Sequence, residues 1–325
     1  MHPFRYHSAR SLADASRQLA APGAMPLGGG TDLLVLLKEG IESPETLVDL
    51  RRIPGARDID SLPDGGLRIG ASARIQELAQ HPVVRERYPA LAEACESVGT
   101  VALRHMGTLG GNLCQRPRCW YFRRGVPCLK NGGPDCPARE EGGENQYHAI
   151  LDGGPCWIVH PSDPAVALTA LGATVEIAGG DSGSRRLPIE ELYLLPRDRV
   201  DRETALAPDE YVTAVELPAA SAGGWQRYDK VMQRGSWDFA LVSLAACRRA
   251  NGDVRLVLGG VAPRPWRVAN SVEEDVASGG IDPDDVATLA DRALYDARPL
   301  SKNGYKISLA SALLKRALSD ILGAA

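Results

Sequence analysis

The sequence contains no apolar run long enough to cross a membrane, so it offers no candidate for a membrane-spanning helix. Its first residues, Met1-His2-Pro3-Phe4-Arg5-Tyr6, lack the basic stretch and apolar core of a secretory signal. A cytoplasmic location is expected, with export inside an already folded complex as the alternative. Positive charge is not in excess: 37 Lys and Arg face 41 Asp and Glu, giving a formal net charge of -4. That balance argues against a broad electrostatic surface for nucleic acid. Internal repeats are absent, as are the P-loop lysine motif and the G-x-G-x-x-G fingerprint. What remains is an ordinary globular composition, 44% hydrophobic over 325 residues, enough for a large core and for two domains.

Against that plain background the cysteines stand out. There are seven, an odd number, and five lie between Cys114 and Cys156. A disulfide framework belongs to short secreted domains, so the clustering points to metal or redox chemistry. The spacing Cys119-x8-Cys128-x7-Cys136-x19-Cys156 supplies four thiolates, enough for a 4Fe–4S or 2Fe–2S cluster. The intervals exceed those of compact ferredoxin or zinc-finger motifs. A tetrahedral zinc site and unligated thiols therefore stay open on this segment alone. Pro117, Pro127, Pro134 and Pro137 would stiffen the loop, and Arg118, Arg123, Arg124 and Lys130 would offset a cluster's negative charge. Cys114 is a fifth candidate ligand. Cys95 and Cys247 lie in apolar patterns and are expected in the core.

The coarse pattern is mixed helix and strand. Strands are expected at Phe4–His7, Thr46–Leu50, Leu67–Gly70, Thr174–Ala178 and Tyr211–Leu217. Ser11 should cap a helix burying Leu12, Ala15 and Leu19. Ile75–Val98 reads as two short helices interrupted near Pro82 and Pro89, and Asp163–Leu171 as another helix. The 114–147 stretch has no hydrophobic period, which is anomalous unless something organises it. Regular structure should resume at Cys156–Val159. After a boundary at Pro218–Gly224, Leu241–Ala250 and Val254–Val261 form a hairpin about Asn251-Gly252, and helices at Asp282–Leu294 and Leu309–Leu322 close the chain.

Two glycine loops complete the picture. Pro26-Leu27-Gly28-Gly29-Gly30-Thr31-Asp32 precedes the helical Leu33-Leu34-Val35-Leu36-Leu37. Successive backbone N–H groups at a helix start can bind a phosphate. Thr108-Leu109-Gly110-Gly111-Asn112-Leu113, within the turn expected at Gly107–Asn112, is a second such loop. Either alone is compatible with a plain turn, whereas two together suit an extended dinucleotide.

These loops, with His160-Pro161-Ser162-Asp163, Tyr228-Asp229-Lys230, Phe239-Ala240-Leu241-Val242-Ser243 and Gly259-Gly260-Val261-Ala262, resemble the FAD subunits of molybdenum hydroxylases over essentially the whole chain. The segment Asn112-Leu113-Cys114-Gln115-Arg116-Pro117-Arg118-Cys119-Trp120-Tyr121-Phe122 resembles the cluster-bearing loop of bacterial aldehyde oxidoreductase FAD subunits. The resemblance implies an α+β fold: a two-lobed FAD-binding domain of the vanillyl-alcohol-oxidase/PCMH type over 1–219, with the iron–sulfur loop at about 114–156, and a CO-dehydrogenase-flavoprotein-like α+β domain over 220–325. It implies FAD contacts from Pro26, Leu27, Gly28, Gly29, Gly30, Thr31, Asp32, Leu33, Leu34, Thr108, Gly111, Asn112, Asp163, Val212 and Lys230. It further implies a 4Fe–4S cluster on Cys119, Cys128, Cys136 and Cys156, with Cys114 outside the set. From the residues alone, Asp163 reads as a helix N-cap and Lys230 as a solvated strand residue.

The implied function is electron transfer. Substrate chemistry would lie on a large molybdenum-cofactor subunit, and two 2Fe–2S clusters on a small subunit would feed FAD, which passes electrons to an external acceptor. No residue of this chain is expected to act as an acid or base on the organic substrate. A 4-hydroxybenzoyl-CoA-reductase-like β subunit, a self-contained flavin oxidase and a zinc-stabilised nucleotide-binding scaffold are the alternatives.

Overall fold

A computed structural model describes residues 1–180, 183–279 and 285–323. Within them, helices pack on three sheets. In the first, β1 (Arg5–Ser8) and β2 (Ala24–Leu27) flank β3 (Thr46–Asp49), each parallel to it. Pro26 is tolerated because β2 is an edge strand with one neighbour. Ser11 accepts from the Asp14 amide and starts α1 (Leu12–Leu19), which buries Ala15 and Leu19. Leu12 does not enter the core as expected. It is 47% exposed, on the rim of a surface cleft beside Leu50 and Tyr211.

The second sheet is antiparallel, in the order β4 (Ile59–Ser61), β5 (Leu67–Gly70), β8 (Tyr211–Leu217), β6 (Thr174–Ala178), β7 (Ser184–Pro188). Pro82 and Pro89 open helices rather than interrupt them, since a proline at the first turn forfeits no helical hydrogen bond. The segment therefore forms α3 (Ile75–Gln80), α4 (Pro82–Arg87) and α5 (Pro89–Glu96), followed by α6 (Val101–Met106).

Helix α9 (Asp163–Leu171) is apolar apart from Asp163 and Thr169, whose hydroxyl donates to the Ala165 carbonyl, and every one of its nine residues is buried. A helix hydrophobic all round belongs between layers. Here it lies between α5 and the third sheet, of order β12 (Trp266–Arg267), β11 (Val254–Gly259), β10 (Val242–Arg248), β9 (Trp225–Val231). A Cβ at Gly259 would stand 2.6 Å from Val166, so the bare backbone there permits the close approach.

Strand period 2 then divides the core. Ala245, Cys247 and Val257 face α9 and the main core, which also holds Cys95. Leu244, Ala246, Leu256 and Leu258 face a second core shared with α10 (Asn270–Ser278), α11 (Val286–Ala293) and α12 (Tyr305–Gly323). Asp282, the expected start of the penultimate helix, lies outside the described residues, and the last helix begins at Tyr305 rather than Leu309.

Between α9 and the second glycine loop, the chain makes only α8 (Trp120–Arg123) and two 3-10 turns, Leu129–Asn131 and Pro137–Arg139. The regular structure expected at Cys156–Val159 does not form. Backbone groups there are used singly: Ala149 N–H donates to the Trp157 carbonyl, and His160 N–H to that of Ala262. No helix among the described residues is long and apolar enough to cross a membrane.

Candidate functional site

The two glycine loops are packed against each other. The first ends β2 and enters α2 (Leu33–Lys38), with Gly30 at φ +75°, a conformation that favours glycine. The second is not an open turn as expected. Thr108 is extended, accepts from the Gly111 amide at 3.3 Å and caps α7 (Leu109–Leu113). A Cβ at Gly28 would lie 2.5 Å from Thr108 Oγ1, and one at Gly29 would collide with the Met106 carbonyl. Glycine at 29 is thus required by the loop–loop contact, independently of any cofactor. At Gly111 the only neighbour is Thr108 Oγ1, at 3.0 Å.

Clefts run on from this junction. One, of 320 Å³, is lined by Thr31, Val98, Gly99, Leu103, Asn112 and Asp163. A second, of 260 Å³, is strongly basic, with Arg51, Arg52, Arg57 and Arg74 beside Met106 and Thr108. Ser72 joins it to a third, of 100 Å³, walled by Leu50, Tyr211 and Val212. Candidates far apart in sequence therefore gather around the glycine-loop junction, with Thr31, Asn112 and Asp163 in the first cleft and Thr108 and Val212 in the two that Ser72 joins.

Asp163 is not the cap of α9. Ser162 is, accepting from the Ala165 amide while its own hydroxyl donates to Asn112 Oδ1 at 2.6 Å. Asp163 occupies the first helical position. Its Oδ1 accepts from the Tyr228 hydroxyl at 2.6 Å and its Oδ2 from Lys230 Nζ at 2.8 Å. Lys230 also donates to the Ser97 carbonyl. It is not a solvated strand residue, because its side chain is 4% exposed. Burial pushes the Asp163 carboxyl up, and the Lys230 ammonium opposes that shift. Tyr228 escaped notice as a site residue, although Tyr-Asp-Lys on a strand places the first and third side chains on one face.

Asp32 points away from the clefts, toward the cysteine segment. Its Oδ1 accepts from Arg118 at 2.5 Å and Arg123 at 2.8 Å, and its Oδ2 from the Arg116 amide. Arg116 in turn meets Glu203 and Glu42, and Lys130 meets Glu203. Arg118 and Arg123, expected to offset cluster charge, are thus committed to Asp32. Lys130 does act on Cys156, and Arg139 acts on Cys136, while Arg124 is exposed.

Cys128, Cys136 and Cys156 are buried and Cys119 is half-buried. Cys136 and Cys156 interact thiol to thiol, which lowers the first and raises the second. Burial pushes Cys119 up to about 11, and the fields of Cys136 and Cys128 reach it. Cys119 Sγ is 3.3 Å from His148 Nε2. No three His, Cys, Asp or Glu side chains among the described residues are placed to hold one metal ion. Cys114 packs instead against the main core, where burial pushes its thiol up to about 12.

The end of this segment is sewn to the start of α12. Asn145 donates to Ala138 O and Ser301 Oγ and accepts from the Lys302 amide. Asn303 donates to the carbonyls of His148 and Ala149. Lys306, 1% exposed, donates to those of Tyr147 and Gly260, and burial pushes it down to about 7.

Comparison with known proteins bears on this architecture. A family described as the FAD binding domain in molybdopterin dehydrogenase matches residues 2–220, and the CO dehydrogenase flavoprotein C-terminal domain matches 227–321. The aldehyde oxidoreductase FAD-binding subunit PaoB of Escherichia coli is 37% identical, over 100% of this chain and 99% of that protein. The glyceraldehyde dehydrogenase medium chain of Sulfolobus acidocaldarius is 26% identical, over 99% of this chain and all of that one. Among solved structures, a chain of the carbon monoxide dehydrogenase of Hydrogenophaga pseudoflava superposes with a TM-score of 0.73 at 25% identity, over 100% of this chain and 99% of that chain. The chain therefore belongs to the FAD-binding medium subunits of molybdenum hydroxylase complexes of the aldehyde, xanthine and CO dehydrogenase type, in which substrate chemistry takes place on another subunit.

Proposed function

We propose that FAD lies across the glycine-loop junction, along the clefts on either side of it, and that a 4Fe–4S cluster is held by Cys119, Cys128, Cys136 and Cys156, within a 1–219 flavin domain followed by a 220–325 domain. The observation that carries the flavin reading is the junction itself. Thr31, Asn112 and Asp163 line a cleft on one side of it, and Thr108 and Val212 line two clefts joined at Ser72 on the other, which suits an extended dinucleotide. The first-loop backbone and Thr108, Gly111 and Asn112 would hold the pyrophosphate, with the basic cleft beside them. When bound, FAD supplies storage of two electrons that can be exchanged singly. Asp163 and Lys230 form a nearly neutral buried pair at the ring end, which fixes a hydrogen-bonding edge without leaving net charge in a low-dielectric wall. Pro26, Leu27, Leu33 and Leu34 shape the first loop's entry and exit, and Asp32 ties it to the cysteine segment.

The cluster reading rests on the donor set: four thiols in one segment, two of them interacting thiol to thiol and a third within the field of its neighbours. A tetrahedral zinc site gathers its sulfurs about one point, with Zn–S of about 2.3 Å. A cuboidal cluster takes one thiolate at each iron, so its ligands stand further apart. In the complex, a large molybdenum-cofactor subunit and a small subunit with two 2Fe–2S clusters would supply the electrons, as a heterotrimer, and an external acceptor would take them.

Cys128→Ser in the purified complex tests both assignments. The expected outcome is loss of the cluster iron with most of the flavin still bound, read by metal analysis and the visible spectrum. Four irons per chain retained in the variant, or zinc without iron–sulfur absorbance in the parent, would overturn the cluster assignment and leave the flavin assignment to its own band.

A further inference from the structure

His148 is pinned more firmly than a loop histidine needs to be. Its amide donates to the Asn145 carbonyl at 3.0 Å, and its own carbonyl accepts from Asn303 at 3.0 Å. The side chain is buried, and its ring packs against those of Trp120 and Tyr121, with 6.1 Å between centroids in each pair. Held in this way, Nε2 stands 3.3 Å from Cys119 Sγ. We propose that His148 is a positioning residue for the 4Fe–4S cluster: its Nε2–H donates to the Cys119 thiolate and so raises the cluster's reduction potential. The inference rests on the cluster reading given above.

Three observations set the direction of that bond. A thiolate bound to iron carries no proton, so between sulfur and imidazole only the ring can donate. Burial, with the positive charge of Lys306 nearby, keeps the ring neutral, with a single N–H to place. Nδ1 is buried and has no hydrogen-bond partner among the described residues. A proton there would leave a donor orphaned, whereas a proton on Nε2 meets the sulfur and leaves only a lone pair unmatched. The ring is not needed as a ligand, because four cysteines already supply one thiolate to each iron.

The sign of the effect follows from charge. One-electron reduction places more negative charge on the cluster and its sulfurs, and a hydrogen bond to a charged acceptor is the stronger kind. The bond therefore stabilises the reduced cluster more than the oxidised one. Lys130 and Arg139 act on Cys156 and Cys136 through charge. The neutral imidazole acts through one directed bond and adds no charge to the segment.

The test uses the intact complex, with the 4Fe–4S signal followed by low-temperature EPR as dithionite lowers the potential. His148→Phe keeps a ring against Trp120 and Tyr121 but has no N–H. It should make the cluster harder to reduce by about tenfold in the equilibrium constant, which is about 59 mV for one electron. Iron and flavin contents should stay as in the parent. His148→Gln, which restores an N–H, should recover most of that shift. In the parent grown on nitrogen-labelled histidine, pulsed EPR should show a weak nitrogen coupling to the reduced cluster, and His148→Phe should lack it. An unchanged midpoint in His148→Phe would overturn the proposal. So would a coupling as large as that of a nitrogen bound to iron, which would make His148 a ligand. If His148→Phe does not assemble, the labelled parent decides, and absence of the coupling overturns the inference. A parent complex with no 4Fe–4S signal would instead sink the cluster reading on which the inference stands.

Discussion

The clefts proposed for the flavin and the cysteine segment are neighbours built in opposite ways. The clefts are walled by backbone: two glycine loops in van der Waals contact, helix starts capped by Thr108 and Ser162, and a helix buried on all sides. The cysteine segment has almost no regular structure and is held by side chains, through Asp32, Glu203, Asn145 and Asn303. Backbone packing is all-or-none, because a single Cβ at Gly29 has nowhere to go. Side-chain ties are separable, because each can be cut while the rest remain. The contrast teaches that the flavin site should fail as a unit and the cysteine segment by degrees.

The strongest test of that contrast is Lys230→Met. It leaves the buried Asp163 carboxylate without its counter-ion, which should cost about 3–5 kcal/mol. Thermal unfolding should fall accordingly, and flavin should be lost together with stability. A variant with a parental melting temperature would show that the cleft is not a unit.

Acid should act next. Burial holds the His160 imidazole down at about 4, against 6.5 when unfolded, so between those values the unfolded chain binds the extra proton. Stability is then complete above pH 6.5 and declines as pH falls toward 4, by up to about 3 kcal/mol from this residue. Denaturant unfolding at stepwise lower pH should show the decline, and His160→Phe should flatten it. An unaltered pH profile in the variant would remove His160 as the cause.

The smallest effects come from a crossed pair. Gly29→Ala forces the glycine loops apart at a cost of about 1–3 kcal/mol and should empty the flavin site. Asn145→Ala leaves the Ala138 carbonyl and the Lys302 amide without their partner at a similar cost of about 1–3 kcal/mol, yet should reduce iron retention and spare flavin. Equal loss of both cofactors in both variants would break the comparison.

The same contrast explains what could be read in the sequence. Tyr211–Leu217 and Asp163–Leu171 are legible to the residue, since alternation and a continuous apolar run are local signals. The β10–β11 hairpin is legible from Asn251-Gly252. The edge strand β2 is hidden by its proline, and α4 by prolines that usually end helices. Local periodicity also cannot say which arginine meets which carboxylate, so Arg118 and Arg123 were expected at the cysteines when Asp32 claims them. The site residues were legible mainly as members of a motif set. Their grouping around the glycine-loop junction depends on contacts between elements distant in sequence.

The central sheet carries one more consequence. Leu67 of β5 pairs with Leu217 of β8, so this sheet cannot close until nearly all of the first family region has been made. The entire cysteine segment lies inside that long loop. Closing it costs chain entropy before any strand contact rewards it, which makes the step intrinsically slow. Anything that gathers Cys119 to Cys156 beforehand shortens the effective loop and speeds closure. In biogenesis, then, the order of events matters: a cluster inserted early would act as a folding template for the sheet, as well as a guest of the finished protein.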